Sequence, residues 1–203
     1  MKIRVYEENP DPRQIQKIVE VLQNGGVIIY PTDTVYGIGC DIFKARAIER
    51  VARIKGIRAD KSKFSFICSD LSHLSDFARH VDNSTFKLMK AYLPGPFTFI
   101  LHASNKVPKL IKNNRKTVGI RVPDNNITLE IVKALGHPIL TTSLKEDDEI
   151  IEYSTDPELI YESYRDLVDI VVDGGYGGIE PSTVIDCTGD EPLVVREGLG
   201  KVD

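Results

Sequence analysis

The sequence predicts an α/β fold: one domain with a twisted mixed sheet, parallel and antiparallel, flanked by helices. Three observations carry this. Segments of helical and of strand periodicity interleave from end to end of the 203 residues. Apolar residues make up 41% of the chain, enough for one large core. Regions 90–125 and 168–197 each hold strand-like runs with no helix between them, which a purely parallel sheet does not allow. No Pro-, Gly- or Ser-rich linker divides the chain, so residues 1–203 read as a single domain.

Local signals place the elements in order. Asp11 reads as an N-cap, Pro12 as the first helical position, and Ile15, Ile18, Val19 and Leu22 as one apolar face. Gly25-Gly26 stops that helix, and the β-branched run 27–30 follows as a buried strand. A helix over 44–54 has Ile48, Val51 and Ala52 inward, and 64–68 is the next strand. Asp70 or Ser69 is expected to cap a short helix through Phe77. Asp82 is expected to cap another, with Phe86, Met89 and Leu93 at helical spacing before Pro94-Gly95-Pro96. Strands over 97–101 and 117–122 precede a helix capped by Asn126 and ended by Gly136, with Ile127, Ile131 and Leu135 inward. The rest reads as a strand at 139–142, a helix at 157–164 started by Asp156, and strands at 168–172, 183–186 and 193–196.

Composition excludes several function classes. Twenty-six Lys+Arg against 30 Asp+Glu give a net charge of −4, and with so many apolar residues global disorder is excluded. No apolar run approaches the roughly 20 residues needed to span a bilayer. The opening MKIRVYEENPDP has no apolar stretch of a secretory leader, so a cytoplasmic protein with no membrane partner is expected. Cys40, Cys68 and Cys187 are widely spaced, which argues for reduced thiols and against a protein-held metal. Trp is absent and aromatics are 7%, a poor supply for a single-strand stacking platform. His73, His80, His102 and His137 sit apart from any plausible nucleophile.

Four stretches suit more than plain structure. Tyr30-Pro31-Thr32-Asp33-Thr34-Val35-Tyr36-Gly37-Ile38-Gly39 follows a buried strand, where ligands gather in open α/β sheets; a turn with local hydroxyl bonds is the alternative. Arg53, Lys55, Arg58, Lys61 and Lys63 cluster around Gly56, positioned either to reach a polyphosphate or simply to complement a helix C-terminus. In 117–123, alternation puts Val118, Ile120 and Val122 on one face and Thr117, Gly119 and Arg121 on the other. An Arg so placed needs an anionic partner, from the protein or from a substrate. Asp173-Gly174-Gly175-Tyr176-Gly177-Gly178 precedes Pro181-Ser182-Thr183-Val184-Ile185-Asp186; its glycines permit close backbone approach to a ligand, or form a flexible hairpin.

The order of these motifs resembles the YrdC/YciO family, whose best-known members are threonylcarbamoyl-adenylate synthases. The matching pieces are 26–39, Leu93-Pro94-Gly95-Pro96-Phe97-Thr98, 117–123, 138–143, 182–186 and Arg196-Glu197-Gly198, covering most of the chain. The resemblance implies an α/β twist with a concave, positively lined groove. It implies that threonine, bicarbonate and ATP give threonylcarbamoyl-AMP and pyrophosphate, with Mg²⁺ carried by ATP, in the service of N6-threonylcarbamoyladenosine formation on tRNA. By motif match, Thr32, Thr34, Arg121 and Ser182 would bind threonine. Lys55, Arg58, Ser143, Lys145 and Arg196 would bind the nucleotide, with Arg121, Lys55 and Arg58 as the catalytic cations. Such chemistry calls for positioning and charge rather than a nucleophile. A downstream tRNA threonylcarbamoyl transferase is an implied partner.

Departures from the synthases place the chain closer to the YciO branch. Lys55-Gly56-Ile57-Arg58-Ala59 is one residue longer than the synthase cluster and lacks its proline, and Ser143-Leu144-Lys145 has a lysine where those enzymes carry asparagine. Glu146-Asp147-Asp148-Glu149 adds negative charge beside the implied ATP site. An alternative is a double-stranded RNA or tRNA-binding protein using the basic stripe Lys106, Lys109, Lys112, Arg115 and Lys116. A threonine- or nucleotide-binding regulator without catalysis is a third.

Overall fold

A computed structural model describes residues 1–59, 64–111, 116–144 and 152–202. β1 (Lys2–Arg4) and α1 (Pro12–Gln23) precede β2 (Val27–Tyr30), whose four residues are all buried. That apolar run needs cover on both faces: Val27 and Ile29 enter one core, Ile28 and Tyr30 the other. β3 (Gly37–Asp41), α2 (Ala45–Ile54), β4 (Ser65–Ile67), α3 (Leu74–Phe77), β5 (Ala78–Arg79) and α4 (Asn83–Tyr92) follow. Then come β6 (Phe97–Ala103), β7 (Thr117–Arg121), α5 (Asn126–Leu135), β8 (Ile139–Ser143), α6 (Glu152–Thr155), α7 (Pro157–Tyr164), β9 (Ile170–Asp173), β10 (Thr183–Asp186) and β11 (Leu193–Arg196).

Among the described residues, eleven strands form one sheet in the order β1-β9-β2-β3-β8-β4-β7-β6-β10-β11, with β5 paired to β6 off that path. β1–β9, β2–β9, β4–β7 and β6–β10 are parallel, and the other pairs are antiparallel. The mixed sheet is the one the sequence predicts. On one face, α2, α3, α4 and α7 bury residues of the larger core, among them Ile48, Phe77, Met89 and Ile160. On the other, α1 and α5 pack over β1, β9 and β2, with Ile67 of β4 and Ile139 of β8 at the margin. Beyond that margin neither α1 nor α5 covers the second face, and this leaves room for a site.

Several local expectations move by small amounts for identifiable reasons. Asp70 does not cap α3: its Oδ1 accepts from the Ser72 amide at 2.7 Å, closing a turn, and His73 holds the cap position. The α5 N-cap is Asn125, whose Oδ1 accepts from the Thr128 amide, rather than Asn126. Phe86 is 37% exposed, so the buried side of α4 rests on Met89. β3 gave no strand signal because it contains two glycines and an aspartate. The glycines are required there: a Cβ on Gly37 would lie 3.1 Å from both Thr141 Oγ1 and the Tyr30 ring, and one on Gly39 would strike the Leu140 carbonyl. The Tyr30 hydroxyl crosses that gap and donates to Thr141 Oγ1 at 2.6 Å.

Candidate active site

Strand parity builds the site. Ile67 of β4 points to the α5 side, so Ser65 does too; the β4–β7 register, Ser65 with Gly119 and Ile67 with Arg121, carries that face onto β7. Register then extends it. Gly119 pairs with Ile100 of β6, and Ile100 pairs with Asp186 of β10. Thr117 pairs with His102, and Thr98 with Val184. These residues floor a cavity of about 660 Å³. Thr32, Val35, Tyr36 and Gly37 wall one side, Thr141, Thr142 and Ser143 another, and Ser182, Val195 and Arg196 a third.

Arg121, at the end of β7, is 8% exposed. Its Nη2 donates to Thr32 Oγ1 at 3.2 Å, to Thr34 Oγ1 at 2.7 Å and to the carboxylate of Asp33, while its Nε is buried with no partner among the described residues. The protein therefore supplies an anionic partner in Asp33, a residue singled out by no local pattern because it lies 88 positions away. Asp33 Oδ2 also accepts from the Asp124 amide at 3.1 Å, which ties the turn to the chain after β7. Thr32 Oγ1 donates to the Val35 carbonyl at 2.8 Å and accepts from the Thr34 amide at 3.1 Å. The Thr-rich turn is thus both a bonded turn and a cavity wall.

Facing it, Ser182 Oγ lies 2.8 Å from Thr98 Oγ1, and Arg196 donates through Nη2 and Nε to the Ser182 carbonyl at 2.7 and 3.1 Å. Desolvation, and then the positive charge of Arg121, hold the Arg196 guanidinium below its ordinary range. Two guanidiniums close enough to oppose each other favour an anion between them. The remaining charged lining residue among those described is Asp186, so the cavity is hydroxyl-rich with a cationic end rather than basic throughout.

The site residues expected from sequence do not all converge. Thr32, Arg121, Ser143, Ser182 and Arg196 line the cavity, and Thr34 holds Arg121 from behind the wall. Lys55 closes α2 and donates from Nζ to the Leu144 carbonyl at 2.9 Å, next to Ser143 but outside the lining. Arg58 is exposed and also off the lining. Lys61, Lys63 and Lys145 lie outside the described residues, as do Lys112 and Arg115 of the basic stripe. Of that stripe, Lys106 pairs with the Asp76 carboxylate, and Lys109 and Lys116 are exposed. Among the described residues no group of three His, Cys, Asp or Glu side chains is placed to hold a metal.

The glycine loop before β10 packs on the protein itself. The Gly174 amide donates to the Tyr36 hydroxyl at 3.1 Å, Gly175 to Asp173 Oδ1 at 3.1 Å, Gly177 to the Thr155 carbonyl at 2.9 Å and Gly178 to the Thr34 carbonyl at 2.8 Å. With all four amides engaged, this loop buttresses the 31–36 turn. Sequence reasoning gave no site role to Thr98, Thr117, Thr141, His102 or Asp186, although alternation put Thr117 on the Arg121 face; strand register brings all five to the cavity.

The Sua5/YciO/YrdC family model, described as telomere recombination, matches residues 20–198. An uncharacterised protein, YciO, of Escherichia coli strain K12 is 46% identical over 200 residues, covering 98% of this chain and 95% of that protein. The crystal structure of E. coli YciO superposes with a TM-score of 0.91 at 43% identity, over 99% of this chain and 97% of that one. Sua5 from Pyrococcus abyssi, solved in complex with L-threonine, superposes with a TM-score of 0.87 at 28% identity, over 98% of this chain and 57% of that one. The threonylcarbamoyl-AMP synthase of the same organism is 30% identical over 179 residues, 87% of this chain and 52% of that protein, so the chain spans about half its length. Sequence and architecture agree: the chain belongs to the Sua5/YciO/YrdC family.

Proposed function

We infer that the protein is an ATP-dependent L-threonylcarbamoyladenylate synthase-like enzyme that combines threonine, bicarbonate and ATP and serves tRNA N6-threonylcarbamoyladenosine formation. One observation carries the reading. Arg121 is nine-tenths buried at a cavity, is held through Nη2 by Thr32, Asp33 and Thr34, and keeps a buried Nε–H with no acceptor among the described residues. An orphaned donor of that kind costs about 1–3 kcal/mol until a ligand oxygen meets it. The complex of P. abyssi Sua5 with L-threonine supports an amino-acid carboxylate as that ligand.

In this scheme Arg121, Thr32, Thr34 and Ser182 hold threonine, whose amine takes up the bicarbonate carbon with loss of water. The resulting carbamate oxygen attacks the α-phosphorus of ATP, the bond to the bridging oxygen of the β-phosphate breaks, and pyrophosphate leaves. Arg196 and Ser143 meet the nucleotide within the cavity. Lys55 and Arg58, with Lys145, meet the triphosphate, and Mg²⁺ arrives with ATP. The work is positioning and charge stabilisation.

Pyrophosphate release from Mg-ATP and bicarbonate, with and without threonine and with product mass detection, tests this. Threonine-dependent release with an adenylate of the expected mass is predicted. No release where a synthase relative turns over would overturn it, and ligand stabilisation without release would leave a binding regulator.

A further inference from the structure

The cavity is chemically two-ended, and only one end is used by the scheme above. Arg121 closes β7 at the cationic end. Thr117, four residues earlier on the same strand, marks the other end, about 13 Å away at a strand's rise per residue. Between them the side chains of Ser65 and Thr98 close over Gly119: a Cβ there would lie 2.5 Å from Ser65 Oγ and 3.3 Å from the Thr98 methyl. Beside them Ile100 and Val184, with Val195 on the wall, form an apolar shelf.

Asp186 stands at the edge of this shelf. Its Oδ1 is fixed by the Thr188 amide at 2.9 Å and the Thr188 hydroxyl at 2.6 Å. Its Oδ2 takes no hydrogen bond among the described residues. The neighbouring His102 Nε2 lies 3.1 Å from the Thr188 carbonyl, which can only accept, so a neutral ring carries its proton on Nε2. The turn is therefore braced from two sides, and what it presents to the cavity is a carboxylate oxygen that accepts but cannot donate. An apolar shelf suits the face of a base, and an acceptor in the shelf's edge suits a base edge that bears an amine.

We propose that Asp186 is a specificity-determining residue that accepts a hydrogen bond from the exocyclic amine of the nucleobase, with the base lying on Ile100, Val184 and Val195. This rests on the nucleotide reading of the cavity above and adds which nucleotides it takes: those with an amino group on the base edge. Asp186→Asn is the informative variant, because an asparagine Oδ1 still accepts from Thr188 and keeps the turn, while its amide can present a donor where the carboxylate presents only an acceptor.

The experiment measures the affinity of Mg-ATP and of Mg-purine-riboside triphosphate, which lacks the 6-amino group, for wild type and Asp186→Asn, with a thermal melt of each as a fold control. Wild type is expected to prefer ATP by roughly tenfold or more, the worth of a hydrogen bond to a charged group. Asp186→Asn is expected to lose that preference with its melting point retained. Should the asparagine variant unfold, Thr188→Val frees the carboxylate without removing it and is expected to reduce the preference in part. Wild type that binds both triphosphates equally, or a folded variant that still prefers ATP, overturns the assignment of Asp186 alone. Wild type that binds neither triphosphate overturns the nucleotide reading with it.

Discussion

The two halves of the sheet differ in what covers them. Around β2 and β9 both faces are packed: Ile28, Ile29, Val171 and Val172 are fully buried, and α1 and α5 close the second face. Around β7, β6 and β10 the first face is packed by Phe99, Ile120 and Ile185, while the second exposes Thr98, His102, Thr117 and Arg121 to a cavity. The same backbone ladder runs through both halves. What differs is the residue at alternate positions and whether a helix lies above it. A sheet can keep its stability in one half and open a polar cavity in the other, provided that buried polar groups there are bonded. Arg121 is the exception: its buried Nε has no partner among the described residues.

The comparison breaks most visibly at the Arg121–Asp33 pair. Arg121→Ala should lower pyrophosphate release by about a hundredfold or more, as loss of a charge-stabilising donor does. It should also destabilise the fold by about 3 kcal/mol, because Asp33 is left without its cation. Adding Asp33→Asn should restore the melting point and leave turnover at the reduced level. Recovery of both would show that Arg121 is structural.

In the covered half, Ile28→Ala should cost about 2–5 kcal/mol in urea denaturation with turnover per folded molecule unchanged. Ile100→Ala on the open floor should cost far less stability and weaken nucleotide affinity. If the two behaved alike, the division of the sheet would be lost.

Gly119→Ala sharpens the account of the floor. Its Cβ would press on Ser65 Oγ, so we expect a loss of about 1–3 kcal/mol. Ser65→Gly in the same chain should relieve that loss, seen as a recovered melting point.

The smallest effect concerns pH. Burial pushes the Cys68 thiol from an ordinary value of 9.0 up to about 12. Burial raises the Tyr30 and Tyr36 phenols as well. For each, the unfolded chain loses its proton first, so the contribution is intact below the unfolded value and is lost as pH climbs towards the folded one. For Cys68 that window runs from about 9 to about 12. Melting points should fall from pH 8 to pH 10.5, and less so in Cys68→Ala.

The covered half was more legible in sequence than the open one. Asp11 and Asp156 cap their helices at the predicted residues, and β2 has its predicted bounds, since caps and apolar runs are local signals. The 117–122 alternation correctly divided Val118 and Ile120 from Gly119 and Arg121. Pairings such as Arg121 with Asp33, or Thr98 with Ser182, join residues more than eighty positions apart and leave no periodicity to read. The glycine loop shows the same limit. Composition signalled close backbone approach, and only the fold reveals that Pro31, Thr34 and Tyr36 are what the glycines approach.

On the proposed function, an amino acid and a nucleotide meet on the uncovered half of the sheet. A crystal structure grown with L-threonine and a non-hydrolysable ATP analogue tests it most directly. The threonine carboxylate is expected against Arg121 and the nucleotide along the β6–β7 floor. Ligand bound elsewhere, or a cavity still empty at saturating concentrations, would contradict it.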